Sequence, residues 1–238
     1  MTLDPLLEEL REAPEPVLRL RTEWTGGEPG VVAMLSGSFD PLTVGHAALA
    51  EAALDLADLV LLVYSVRTLP KEESVPASLL SEEERLAVLE AFCEARPRIE
   101  PAICSHGLLA EQVRAATARF PASELALVMG SDKVRQLLDP GWYEDRDAVL
   151  HQLFSRATVL YAVRAGDEGL VEDLLRRAEN VIWRDRFERL AVAGDVASIS
   201  SRVVRESLAL GKDVSRLLPP EAAPLVRSHS RTRETNEP

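Results

Sequence analysis

Gly37-Ser38-Phe39-Asp40-Pro41-Leu42-Thr43-Val44-Gly45-His46 is the stretch on which the reading of this chain turns. It follows a short apolar run, Val31–Leu35, and leads into an Ala/Leu-rich segment of helical period from Gly45 to Ala57. A strand that turns directly into a helix presents the helix's unpaired N–H groups and positive dipole end to the turn, which suits an anion. Gly37 and Gly45 permit a tight turn and close backbone approach, with Ser38 and Phe39 inside the loop. Thr43 and His46, three residues apart, can aim a hydroxyl and an imidazole at one phosphate. Either residue alone reads as a helix cap or a surface histidine. The ten together, between a strand and a helix, read as a phosphate site.

Outward from this turn the chain alternates strand and helix. Leu59–Tyr64 has the length and β-branching of a buried strand. Residues 67–80, aperiodic and holding Pro70 and Pro76, form a loop, and Ser81-Glu82-Glu83-Glu84 opens a helix to about Ala95. There follow a strand at Ile99–Cys104, a helix at Leu108–Phe120 and a strand at Leu125–Met129. Helices at Val134–Leu138 and Asp147–Phe154, a strand at Thr158–Val163, a helix at Glu168–Ala178 and a strand at Asn180–Trp183 come next. A loop through Asp195, a helix at Ser201–Leu210 and a short turn past Pro220 complete the pattern. Such alternation predicts an α/β fold, a Rossmann-like doubly wound parallel sheet with helices on both faces. Its ligand belongs beyond the carboxyl ends of the strands, at the switch point. Residues 1–30 read as an N-terminal extension with a helical Leu3–Leu10, residues 31–227 as the domain, and 228–238 as a polar, disordered tail.

The 238 residues are 46% hydrophobic and 28% charged, an ordinary globular balance. No apolar run approaches the roughly 18 residues of a membrane-spanning helix. Net charge is −12, which argues against a broad nucleic-acid footprint but allows a local cationic cluster for a small polyphosphate. Asp4, Glu8 and Glu9 do not fit a secretory signal or transit peptide. Cys93 and Cys104 lack metal-ligand spacing and read as reduced core residues, so the expected location is the cytoplasm.

The first segment resembles the signature G-x-F-D-P-x-[T/H]-x-G-H of the nucleotidylyltransferase superfamily. A second, Ile199-Ser200-Ser201-Arg202-Val203-Val204-Arg205, resembles that family's I-S-S-T-x-[I/V]-R, with Arg202 in place of the usual Thr. Read alone, this second segment is an N-cap and a solvated arginine. The resemblance implies that Ser200 and Ser201 cap a helix whose amides, with Arg205, hold the β- and γ-phosphates of ATP, and that His46 and Thr43 support the α-phosphate. Gly130-Ser131-Asp132, followed by Trp142-Tyr143 and by Ala157–Arg164, is similar to the middle of the nicotinate and nicotinamide mononucleotide adenylyltransferases. There Gly130 and Asp132 would lie by the nucleotide sites and Trp142 would stack on a pyridine ring; a core anchor is the other reading of Trp142. Lys71, in Leu69-Pro70-Lys71, stands where that family has a phosphate-contacting element, and equally suits a surface lysine.

The likeness runs over residues 31 to 215. It implies AMP transfer from ATP to the phosphate of nicotinate or nicotinamide mononucleotide, forming an NAD-type dinucleotide, with pyrophosphate leaving and Mg²⁺ carried on the triphosphate oxygens rather than in an all-protein cage. Thr43 departs from the H-x-G-H of the nicotinate enzymes and matches the phosphopantetheine adenylyltransferases, so that acceptor, or another cytidylyltransferase-like reaction, stays open. A nucleotide-binding regulatory protein without turnover is the non-enzyme reading, nucleotide hydrolysis a third, and a homo-oligomer is compatible with all of them.

Overall fold

The computed structural model of the chain describes residues 5–22, 24–67 and 78–234. Its strands are β1 (Leu18–Leu20), β2 (Val31–Ser36), β3 (Leu59–Ser65), β4 (Ile99–Cys104), β5 (Glu124–Gly130), β6 (Ala157–Ala162) and β7 (Phe187–Arg189). The helices before β5 are α1 (Pro5–Glu12), α2 (Val44–Ala53), α3 (Glu82–Glu94) and α4 (Leu109–Arg119). After it come α5 (Ser131–Leu138), α6 (Arg146–Phe154), α7 (Leu170–Arg176), α8 (Gly194–Ala197), α9 (Ser201–Ala209) and α10 (Ala223–Glu234). The seven strands form one sheet in the order β1-β4-β3-β2-β5-β6-β7, parallel except for β1.

Alternation along the central strands divides the core in two. Ala33 and Leu35, Val60, Leu62 and Tyr64, and Ala126 and Val128 face one side, with Leu49, Phe92, Val204 and Val226 packed there. Val32 and Met34, Leu59, Leu61 and Val63, and Leu125, Leu127 and Met129 face the other, over Val113, Val134, Leu150 and Val171. Both faces are covered, which is why β2, β3 and β5 are almost wholly apolar. The chain leaves β2 for β3 on one side and returns through β5 on the other. The switch point therefore lies between the carboxyl ends of β2 and β5, where the quoted turn and Gly130 both stand.

The capping box of α3 forms as its sequence predicts: Glu84 N–H donates to Ser81 Oγ at 3.2 Å, and Ser81 N–H to Glu84 Oε2 at 2.8 Å. Cys93 and Cys104 are buried and unpaired, and burial pushes the Cys93 thiol up to about 12. Among the described residues no helix is long and apolar enough to cross a membrane.

Three expectations need correction. Residues 5–20 are part of the domain rather than an extension to it, since Leu7 and Leu10 lie in the core and β1 pairs antiparallel with β4. Asn180–Trp183 is not a strand. Val181–Arg186 forms a 3₁₀ turn that buries Trp183 and leaves Val181 and Ile182 exposed, and the edge strand is Phe187–Arg189, paired with Val159–Tyr161. An apolar Val-Ile-Trp run looks like a strand by composition, but here only every third side chain meets the core. Finally, α10 continues through Ser228 to Glu234, within the stretch 228–238 expected to be a disordered tail, of which 235–238 lie outside the described residues.

Candidate active site

Thr43 is the N-cap of α2 and is fully buried. His46, at the third helical position, closes a capping box in which an imidazole replaces the usual carboxylate. His46 N–H donates to Thr43 Oγ1 at 3.3 Å, and Thr43 N–H donates to His46 Nδ1 at 3.2 Å. The Thr43 hydroxyl is 2.8 Å from both His46 Nδ1 and the Ile199 carbonyl, and its single proton can serve either. With Nδ1 accepting from backbone, the proton of the neutral ring sits on Nε2, as a donor. Burial, followed by the charges of Lys133 and Arg164, lowers the imidazole to about 3. The ring is therefore neutral at physiological pH. Phe39, fully buried, packs edge-on against it with centroids 5.3 Å apart, and takes a left-handed φ of 45° to do so. Gly37 completes the turn: a Cβ there would be 3.2 Å from the Phe39 ring. Ser38 is half-buried beside it.

The two motifs, distant in sequence, meet through backbone. Besides the Thr43–Ile199 bond, Ser201 Oγ donates to the Pro41 carbonyl at 2.8 Å. A Cβ on Gly45 would be 2.2 Å from the Ile199 oxygen, so only glycine lets α2 lie against the start of α9. Ser200 caps α9, accepting from Val203 N–H at 3.4 Å. Two helix N-termini thus converge beside the switch point.

Arg205 is buried rather than solvated. Its side chain is only 7% exposed, donates to the Asp40 carbonyl and lies 3.5 Å from the Asp40 carboxylate, while its Nε has no partner. Burial lowers its pKa and Asp40 opposes that shift. Asp40, itself buried, also accepts from Leu79 N–H at 3.0 Å, Leu80 N–H at 2.8 Å and Ser78 Oγ at 3.0 Å, and pairs with Arg85 at 3.5 Å. This carboxylate ties the quoted turn to the start of α3 and to α9. Arg202, one position into α9 from Ser201, is exposed and 3.8 Å from Glu206.

Across the switch point Asp132 pairs with Arg164 at 3.0 Å, and a Cβ on Gly130 would be 2.7 Å from the Asp132 carboxylate and 2.8 Å from Arg164 Nε. Lys133 reaches back to the Ser36 carbonyl at 3.0 Å. Asp40, Arg85, Lys133 and Arg164 had no place among the expected site residues. Asp40 lies within the quoted motif and Arg164 ends an apolar strand, whereas Arg85 and Lys133 carry no sequence signal. Trp142 ends a 3₁₀ turn, Pro140–Trp142, and is 59% exposed, so it is no core anchor. Lys71 lies outside the described residues. No group of three or more His, Cys, Asp or Glu side chains among those residues is placed to hold a metal ion.

A strand-ending turn carrying Thr43, Gly45 and His46, bonded to a second helix start, is the decisive arrangement, and the family profile described as cytidylyltransferase-like matches residues 34–207 across it. The chain belongs to the cytidylyltransferase-like family. It is an enzyme of the nucleotidyltransferase class. A phosphopantetheine adenylyltransferase from Alkalilimnicola ehrlichii is 30% identical over 84% of this chain and 91% of its own. A protein named a probable nicotinate-nucleotide adenylyltransferase, from Flavobacterium johnsoniae, is 24% identical over 80% of this chain and 92% of its own. A solved structure from Vibrio parahaemolyticus, provisionally assigned the latter activity, superposes with a TM-score of 0.50 at 17% identity. It covers 86% of this chain and 96% of that one, a likeness of fold.

Proposed function

We propose that this cytidylyltransferase-like protein transfers AMP from ATP to the phosphate of nicotinate or nicotinamide mononucleotide, releasing pyrophosphate. The observation that carries the reading is the junction of the two motifs, Thr43 to Ile199 and Ser201 to Pro41, which sets a neutral His46 beside two helix N-termini. The acceptor phosphate is already an anion near neutral pH, so the reaction needs no protein nucleophile or general base. Catalysis is positioning and electrostatic stabilisation. His46 Nε2–H donates to the α-phosphate where charge grows, and Thr43 holds the ring in that tautomer. The amides of α9 face the leaving pyrophosphate. Gly37, Ser38, Phe39, Gly45, Gly130 and Asp132 shape the ATP site, and Mg²⁺ enters on the triphosphate as part of the substrate.

Trp142 suits the acceptor, because an exposed indole can stack on a pyridine ring without first leaving a core. Lys71 is assigned to the acceptor phosphate by sequence position alone. Arg205, with the amides of α9, is assigned to the β- and γ-phosphates of ATP. Its Nη1 donates to Asp40, a bond that braces the turn and orients the guanidinium. A phosphopantetheine acceptor is the second reading, favoured by Thr43 and by the relative from A. ehrlichii. Pyrophosphate release is the test, measured with ATP or CTP against nicotinate mononucleotide, nicotinamide mononucleotide and phosphopantetheine. Turnover with ATP and a mononucleotide is expected. Turnover with phosphopantetheine alone would replace the acceptor, and none with any would refute the reading.

A further inference from the structure

The first turn of α5 carries charge that its own helix does not favour. Lys133 is three residues past the Gly130 cap, near the positive end of the helix dipole, where a cation is disfavoured and an anion welcome. The one acidic group in that turn, Asp132, is taken by Arg164 at 3.0 Å. The exposed Lys133 side chain crosses from the end of β5 to the end of β2, where its ammonium donates to the Ser36 carbonyl at 3.0 Å. That carbonyl immediately precedes Gly37 and Ser38. The crevice between β2 and β5 therefore holds two cations, Lys133 and Arg164, beside Asp132 and the N-terminus of α5, where Ser131 Oγ also donates to Asp167 at 2.7 Å. On the far side of the turn Arg205 is paired with Asp40.

We propose that Lys133 is a catalytic residue that places its ammonium on the phosphates that react. The inference rests on the adenylyl-transfer reading for what is bound. Its position rests on the Ser36 contact and on the exposed side chain at the switch point. The depressed imidazole of His46 accords with it, since the Lys133 charge already reaches that ring. An ammonium has three donors, so the Ser36 carbonyl can orient it while another donor meets a phosphate oxygen.

The probes are inorganic tripolyphosphate and pyrophosphate, titrated calorimetrically into the wild-type chain and into Lys133→Met, Lys133→Gln and Lys133→Arg. Steady-state kcat/KM is measured alongside. Lys133→Met removes both charge and donor, whereas Lys133→Gln keeps a donor for Ser36. Both should weaken polyphosphate binding at least tenfold and lower kcat/KM in step, with Lys133→Arg close to wild type. Tripolyphosphate affinity within threefold of wild type in Lys133→Met overturns the proposal. So does wild-type affinity in Lys133→Gln, which would leave Lys133 only its bond to Ser36. A loss of affinity with unchanged kcat/KM in an active enzyme also overturns it, because the ammonium would then lie away from the reacting phosphates. If the wild type turns over no acceptor, the adenylyl-transfer reading fails by itself, and the polyphosphate titration still decides whether Lys133 is an anion contact.

Discussion

Gly45→Ala sets helix propensity against tertiary contact with opposite signs. Within a helix, alanine is ordinarily favoured over glycine by about 1 kcal/mol. Gly45 lies in α2, and its backbone has no left-handed φ that would require glycine. By local rules the substitution stabilises. The added methyl, however, would stand 2.2 Å from the Ile199 oxygen and 2.9 Å from the Val196 oxygen, where ordinary contact begins at 3.4 Å. Both obstacles are backbone, so no rotamer change relieves the overlap, and α2 and the start of α9 must separate by about 1 Å. Overpacking of this kind costs about 1–3 kcal/mol. Separation also stretches the 2.8 Å bond from Thr43 Oγ1 to Ile199, worth about 1 kcal/mol. Set against the propensity gain, the net loss is about 1–3 kcal/mol, or a fall in Tm of roughly 2–12 °C for a chain of this size. Urea denaturation should show a lower midpoint at unchanged slope, and ATP affinity should fall because both helix starts move. A Gly45→Ala protein as stable as the parent, or more so, would refute the close approach of the two motifs.

Other substitutions probe single groups. His46→Ala should lower kcat roughly 10²- to 10³-fold with a smaller effect on the KM for ATP, measured at saturating acceptor; a loss below about threefold would make His46 structural. Because its folded pKa, about 3, lies below the unfolded 6.5, His46 contributes stability that is present above pH 6.5 and lost as pH falls toward 3. A pH series of urea melts should therefore flatten over that window in His46→Asn, and an unchanged slope would contradict the neutral ring. Trp142→Ala should raise the KM for a mononucleotide about tenfold to a hundredfold with Tm unaltered, since the side chain is 59% exposed; an unchanged KM would remove the indole from the acceptor site. Arg205→Ala leaves the buried Asp40 with Arg85 as its remaining cation and should cost about 3 kcal/mol in thermal or urea melts. ATP binding should weaken as well, and unchanged ATP affinity would remove Arg205 from the phosphates.

Much of the architecture was legible because it depends on local pattern. The apolar runs of β2, β3, β4, β5 and β6 are buried on both faces, and a strand in that position admits almost nothing polar. The Ser81–Glu84 box and the Thr43 cap are contacts within four residues, so neighbouring sequence suffices to specify them. The strands that escaped, Leu18–Leu20 and Phe187–Arg189, are three-residue edges with little period to detect, and their place depends on β4 and β6.

Sequence alone determined the alternation of strand and helix, the strand-to-helix turn at Gly37–His46 and the second helix start at Ile199–Arg205, because each is a short motif with its own backbone chemistry. Tertiary structure decided which charges serve the site. Asp40 and Arg205 are far apart in sequence, and nothing local indicates that the arginine is buried against that carboxylate. Lys133 reads as a surface lysine until β5 is laid beside β2 and its ammonium comes to rest on Ser36. Helix caps act within a turn of chain, whereas the ion pairs and long-range hydrogen bonds of the site join residues far apart in sequence. The electrostatics of this site therefore became visible only after the sheet order had brought its ends together.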